Sequence, residues 1–163
     1  MKKNLIEGIG KGKISRIIVV KIKKGVDLLE AITEVVKNEK IEKGIIISGI
    51  GALKKAVFRN LFQYPKDFPV TKKDRIYLEV NQPLEIVSLN GHISRTEDFT
   101  PHIHIHFSAS MVQKNSVICM GGHLTKGTIT FIKVSVIILE INEISMKAKF
   151  SDNSESIEMT IES

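Results

Sequence analysis

Short apolar runs separated by turn residues recur along most of the chain and predict a protein rich in β-strands. The runs are rich in β-branched side chains, and Pro, Gly, Asn and Asp punctuate them. Residues 44–53 form an apolar run with three glycines and a single serine, which is typical of a strand buried on both faces. The predicted strands are 14–22, 44–53, 55–63, 76–80, 84–93, 102–109, 116–120, 127–140 and 144–150.

One segment has the helical period instead. Apolar residues from Leu28 to Val36 recur at spacings of three and four, Asp27 precedes them as an N-cap, and lysines follow near the end. The pattern predicts a helix over 27–39. One helix among many strands gives the α+β class.

The predicted elements fall into a single compact domain. The 163 residues include 42% hydrophobic ones, enough for one buried core, and no linker or repeat divides them. We expect a flexible basic leader at 1–13, the main domain at 14–150, and an acidic C-terminal strand or tail at 151–163.

Positive charge is concentrated at the beginning of the chain. The net charge is +6, and residues 1–24 hold eight Lys or Arg and one acid, whereas 140–163 hold six acids and two Lys. Ile17 and Val19 followed by the lysines at 21, 23 and 24 are typical of an exposed edge strand protected from aggregation. The alternative is a nucleic-acid-binding segment, with Lys11, Lys13 and Arg16 as its candidate contacts.

The single cysteine excludes an intramolecular disulfide framework and a Cys-based zinc finger. Cys119 lies in an apolar run, so we expect a buried, inert thiol. No apolar run is long enough to span a bilayer, and no signal-peptide pattern is present. The sequence therefore predicts a cytoplasmic protein without a membrane partner.

All five histidines fall within residues 92–123, and three of them alternate at 102, 104 and 106. On a strand this period places His102, His104 and His106 on one face, close enough for neighbouring imidazoles to bind one ion. His123, after two glycines, is the natural third ligand, and His92 is a reserve. Solvent-facing or hydrogen-bonded histidines are the alternative interpretation.

Three histidines without a carboxylate suit zinc, although copper, iron and nickel also accept imidazole. A fourth position would then hold water, or a group from a neighbouring subunit. Glu85, an acid in an apolar strand, is a candidate to orient a ligand histidine, although an exposed strand face is the favoured interpretation. Arg59 and Arg95 are candidates for binding an anionic substrate near the site, although ordinary solvated charges are the default interpretation.

Five segments together resemble the PPC (plants and prokaryotes conserved) domain. They follow in the same order and span about residues 16–141: 24–32 (KGVDLLEAI), 47–53 (ISGIGAL), 84–94 (LEIVSLNGHIS), 104–106 (HIH) and 121–124 (GGHL).

The resemblance implies a bent antiparallel sheet on a helix, a homotrimer with sites near subunit boundaries, and a histidine metal site usually taken as zinc. His104, His106 and His123 match the family's metal positions. His102 lies where the family more often has an apolar or variable residue, and His92 where Asn is common.

Three functions remain open at this stage. The first is a trimeric, zinc-binding histidine module with a small-ligand pocket, which includes the option of a zinc-dependent enzyme of unknown substrate. The second is a DNA-binding protein that uses the basic surface of the trimer, as the family's usual label implies. The third is a metal site that only stabilises the trimer. No AT-hook or helix-turn-helix motif supports the second.

Overall fold

Nine strands and one α-helix make up the part of the chain that the computed structural model describes, residues 5–65 and 68–162. The helix α1 (Leu28–Asn38) follows the first strand, and a 3-10 turn, Lys72–Asp74, precedes the third. The strands are β1 (Lys13–Ile22), β2 (Gly44–Leu61), β3 (Arg75–Val80), β4 (Leu84–Arg95), β5 (Pro101–Gln113), β6 (Ser116–Leu124), β7 (Ile129–Asn142), β8 (Ser145–Ser151) and β9 (Ser156–Glu162).

The helix forms where the sequence predicts it. Asp27 caps it by accepting a 3.0 Å hydrogen bond from the backbone N–H of Glu30. The other carboxylate oxygen of Asp27 accepts a 2.6 Å bond from the N–H of Gly127, so the same side chain ties the helix to the loop before β7. Leu28, Ile32 and Val36 are buried against the sheet.

The long strand β2 corrects the prediction of two separate strands at 44–53 and 55–63. The chain continues without a break from Gly44 to Leu61. Gly51, with a φ of 152°, lies so close to β7 that a Cβ would meet the carbonyl oxygen of Lys133 at 2.1 Å. Register shifts against β7 on both sides of this position bend the strand. The glycines therefore produce irregular pairing within one strand rather than a turn between two.

The length of β2 lets it serve several neighbours. It pairs with β7 and β4 through its first half and with β3 and β6 through its second half. The pairings β2–β6, β6–β5, β5–β4 and β4–β2 close a ring, and the full strand order is β1-β7-β2-β6-β5-β4-β8-β9. All pairings of named strands are antiparallel except a single contact between β4 and β8, which confirms the α+β prediction.

The two outermost strands in this order, β1 and β9, come from the two ends of the chain. β1 pairs only with β7 within the described residues, which confirms the edge-strand interpretation. At the other end, β9 pairs with β8 across residues of the predicted acidic segment. Gly10, in the predicted leader, lies against Ile144 and Ile161.

The core lies between the helix and the inner face of the bent sheet. Phe58 of β2 and Phe107 of β5 stack there at a ring-centroid distance of 4.5 Å. Their chain neighbours Arg59 and His106 therefore point to the opposite face. Among the described residues, no helix is both long enough and apolar enough to cross a membrane.

Candidate metal centre

The alternation along β5 separates core residues from histidines. Ile105 and Phe107 are 2% and 3% exposed, so they anchor one face of the strand in the core. His102, His104 and His106 consequently share the other face. This arrangement confirms the period-two prediction.

Cross-strand register brings the remaining histidines to the same face. His123 of β6 lies opposite His106, and His92 of β4 lies opposite His104. The close approach of β6 to β2 depends on Gly122. A Cβ at Gly122 would lie 2.4 Å from the side-chain oxygen of Asn60, whose amide nitrogen donates a 2.8 Å bond to the carbonyl oxygen of Gly121.

Three of the five histidines form a compact group. Ring nitrogens of His104, His106 and His123 lie within 4.8 Å of one another. The Nε2 atoms of His104 and His106 are 3.2 Å apart, and the ring of His123 is 4.1 Å from that of His106 between centroids. The structure thus brings together the three residues whose spacing predicted metal ligands.

The surroundings favour neutral imidazoles. Burial lowers the pKa of His104 to about 4, with a further contribution from His92. Burial also lowers the pKa of His123 to about 3, and the positive charge of Arg59 adds to this shift. The pKa of His106 is lowered by the same two causes. Neutral imidazole is the form that binds a metal, so the donor set fits a divalent transition ion.

His92 and His102 extend the row beyond the compact group. The ring of His92 is 5.1 Å from that of His104, and that of His102 is 6.3 Å from it. Burial lowers the pKa of both. Nε2 of His92 and Nδ1 of His102 are buried and have no hydrogen-bond partner within 5–65 and 68–162. Both stay candidate ligands, outside the group whose ring nitrogens all lie within 4.8 Å of one another.

Arg59 lies beside the histidines. The sequence patterns did not show whether it belongs to the site or is an ordinary solvated charge. Its Nη2 is 3.0 Å from Nδ1 of His123, and the two residues lie directly opposite each other on β2 and β6. On its other side Arg59 pairs with Tyr77 of β3. Only this long-range register shows that Arg59 belongs to the histidine face, because 64 residues separate it from His123.

An open groove runs along this face. We call it the basic groove; it has a volume of about 720 Å³ and includes Arg59, Arg75, Tyr77, Lys126, Glu158 and the histidines at 102, 104 and 123. Arg75 donates a hydrogen bond to the carbonyl oxygen of Ser154. Lys126 pairs with Glu30 at 3.0 Å. The groove gives a ligand direct access to the histidine cluster.

Two further candidates lie away from the site. Glu85 is exposed and pairs with Ser110, four residues beyond His106 on β5 and so about 13 Å along the strand. This distance argues against Glu85 as the group that orients a ligand histidine. Arg95 lies 3.5 Å from Glu42, in a separate pocket.

The structure corrects the prediction for the cysteine and weakens the prediction of a nucleic-acid-binding segment. Cys119 is exposed, so the prediction of a buried thiol is wrong: on β6 it alternates with Met120, which packs on the core. Lys13 pairs with Glu143 at 2.9 Å, and Arg16 bonds to Glu140 at 2.6 Å and to Glu39. Of the three proposed nucleic-acid contacts, only Lys11 is outside these ion pairs.

Solved structures share this fold. A metal-containing protein from Archaeoglobus fulgidus is 24% identical, with a TM-score of 0.73 and coverage of 94% of this chain and 99% of that one. A plant- and prokaryote-conserved (PPC) protein from Pyrococcus horikoshii is 25% identical, with a TM-score of 0.75 and coverage of 92% and 95%. A protein from Bacteroides thetaiotaomicron, described as a "putative DNA binding protein", is 20% identical, with a TM-score of 0.71 and coverage of 94% and 98%.

The family is shown by the sequence itself. No curated protein matches the chain. The sequence signature of the Plants and Prokaryotes Conserved domain matches residues 9–142, which include all the strands of the histidine face. The chain therefore belongs to the Plants and Prokaryotes Conserved (PCC, also written PPC) domain family.

Proposed function

We propose that the protein is a metal-binding module in which His104, His106 and His123 hold one divalent transition ion, with zinc as the first candidate. The observation that carries the proposal is the convergence of three ring nitrogens within 4.8 Å. The similar protein from Archaeoglobus fulgidus is described as metal-containing, which supports the same assignment.

The distance between two of the ligand atoms supports this proposal quantitatively. With zinc–nitrogen bonds of about 2.0–2.1 Å and tetrahedral angles, two nitrogens on one ion are about 3.3–3.4 Å apart. Nε2 of His104 and Nε2 of His106 are 3.2 Å apart. The pair therefore needs almost no rearrangement to bind one ion.

Three neutral histidines leave an open coordination position. A bound zinc ion would act there as a Lewis acid and could lower the pKa of a bound water. His104 and His123 line the basic groove, so a ligand bound in the groove would lie next to the ion. This supports a module that binds a small molecule in contact with the metal over a metal site that is only structural.

We further propose that the active assembly is a homotrimer. A row of paired residues crosses five strands on one face, from Ile17 through Leu139, Ile45 and His92 to His104. Its outer end is apolar and open: Ile17 and Val19 are 63% and 71% exposed. An apolar surface continuous with the histidines supports subunit contacts that border the metal site.

The metal assignment is tested by the double variant His104→Ala, His106→Ala. Metal analysis of the purified wild-type protein should give about one zinc per chain, and the double variant should retain less than a tenth of that. His102→Ala is the matched control, because it removes an imidazole from the same strand face outside the compact group; it should keep the full equivalent. A full equivalent in the double variant contradicts the proposal.

A further inference from the structure

Arg59 is an unusual neighbour for a metal-ligand histidine. Such a histidine normally donates its second N–H to a carboxylate or carbonyl acceptor, which raises its basicity. A guanidinium has five donors and no acceptor, so the 3.0 Å contact requires Nδ1 of His123 to be the acceptor. Arg59 therefore does not play the usual orienting role.

The contact between Arg59 and His123 is incompatible with a metal on a neutral His123. If the metal binds Nε2, Nδ1 carries the proton, and two donors face each other. If the metal binds Nδ1, the lone pair that Arg59 uses is taken. In either case metal binding breaks the hydrogen bond between Arg59 and His123. The guanidinium is then free to bind a ligand of the ion.

The released guanidinium has no other partner among the described residues. Its bond to His123 is the only side-chain hydrogen bond that Arg59 makes within 5–65 and 68–162, and no carboxylate in these ranges forms an ion pair with it. The other two cations of the basic groove are already engaged, Lys126 by Glu30 and Arg75 by the Ser154 carbonyl. A half-buried guanidinium without a counterion is a natural anion receptor.

From this geometry we infer that Arg59 is the anion-recognition residue of the site: it binds a small oxyanion, a carboxylate or phosphate, one oxygen of which coordinates the metal. The inference rests on the proposed metal site. A carboxylate or phosphate presents two oxygens in a plane that matches the guanidinium fork, so one can bind Arg59 while another binds the ion. The groove of about 720 Å³ accommodates the rest of a small metabolite.

The test measures anion binding to zinc-loaded protein by calorimetric titration, with acetate and inorganic phosphate as separate probes. The metal content of every variant is measured first. Absorption spectra of cobalt-substituted protein report whether the anion changes the coordination of the ion. We expect at least one probe to bind and to change the cobalt spectrum; the probe that does so distinguishes a carboxylate site from a phosphate site.

Arg59→Gln should keep one metal per chain and bind the effective probe about tenfold or more weakly. Arg59→Lys keeps the positive charge but lacks the planar pair of N–H donors, so it should also bind the anion more weakly than the wild type. Lys126→Gln is the control: it removes a charge from the same groove and should change affinity by less than about threefold, because Lys126 is paired with Glu30.

The outcomes separate the two proposals. If the wild type holds one metal but Arg59→Gln binds both anions as tightly as the wild type, or if neither probe binds the wild type, the anion-recognition role is wrong and the metal site stands. Equal losses of anion affinity in Arg59→Gln and Lys126→Gln also overturn it. The overall positive charge of the groove, rather than a specific contact with Arg59, would then explain binding. If the wild type holds no metal, both proposals fall.

Discussion

Gly91 lies so close to His104 that a Cβ on the glycine would be 2.1 Å from the carbonyl oxygen of the histidine. The two residues lie on adjacent strands, where Gly91 pairs with Ile105 and the neighbouring His92 pairs with His104. The absence of a side chain at residue 91 therefore determines how closely β4 approaches β5, the strand of two proposed metal ligands.

Gly91→Ala should disturb both stability and metal binding. The clash involves backbone atoms, which no rotamer change can relieve, so we expect a loss of about 1–3 kcal/mol or more in the free energy of unfolding. Zinc affinity should fall as well, because β5 carries His104 and His106. Urea unfolding and zinc titration measure the two effects.

Gly121→Ala is the matched control for this experiment. Its Cβ would meet its closest neighbour, the carbonyl oxygen of Phe107, at 3.2 Å, a contact that small adjustments can relieve. We expect a much smaller loss of stability than in Gly91→Ala. Equal stability of the two variants would contradict the steric role of Gly91.

The histidine cluster should make the metal-free protein less stable in mild acid. Burial holds the pKa of His104 at about 4 and that of His123 at about 3 in the folded state, against 6.5 without burial. As the pH falls below about 6.5, the unfolded chain takes up protons that the folded protein does not, so the free energy of unfolding decreases. Between about pH 7 and pH 5 the Tm should fall by at least about 3 °C.

The double variant His104→Asn, His123→Asn isolates this effect. It removes two of the groups that resist protonation, so its Tm should depend less on pH over the same interval. Calorimetry in the presence of a chelator measures both proteins. A pH-independent Tm of the metal-free wild type would show that the imidazoles are not held neutral by the fold.

Local patterns predicted the elements well because their causes are local. The Asp27 cap with apolar residues at helical spacing determined α1, and the alternation of His and apolar residues determined the two faces of β5. Spacing also placed His102, His104 and His106 on one face with His123 as a further candidate, and the resemblance to the PPC domain selected His104, His106 and His123 from these. These signals depend on period and turn chemistry, which a sequence displays directly.

Features that depend on long-range pairing could not be predicted. The break expected after residue 53 failed because Gly51 makes a close contact with β7, more than 80 residues away, rather than a turn. The place of Arg59 beside His123 depends on the register of β2 with β6. The exposure of Cys119 depends on which face of β6 packs on the core.

DNA binding through the N-terminal segment is not favoured by the charge arrangement. Two of the three candidate contacts, Lys13 and Arg16, are already paired with acids, so phosphates would have to compete with Glu143, Glu140 and Glu39 for them. We expect no saturable binding of a DNA duplex at about 150 mM salt, measured by fluorescence anisotropy. A tight complex that weakens steeply with salt, and further in Lys11→Ala, Lys13→Ala, Arg16→Ala, would establish DNA binding instead.

The proposed trimer depends on the exposed apolar end of the histidine face, and Val19 tests it. Val19 is 71% exposed in the single chain, so Val19→Glu should leave the fold unchanged, as circular dichroism can verify. In a trimer the new carboxylates would be buried in apolar contacts, at a cost on the order of several kcal/mol each.

Light scattering should therefore give three times the chain mass of 18.2 kDa for the wild type and a single chain mass for Val19→Glu. Val112→Glu is the control: Val112 is 69% exposed, but it lies near the β5–β6 turn, away from β1. Dissociation of Val112→Glu with an intact Val19→Glu trimer would place the subunit contact at that hairpin. The exposed apolar residues of β1 would then not form the subunit contact.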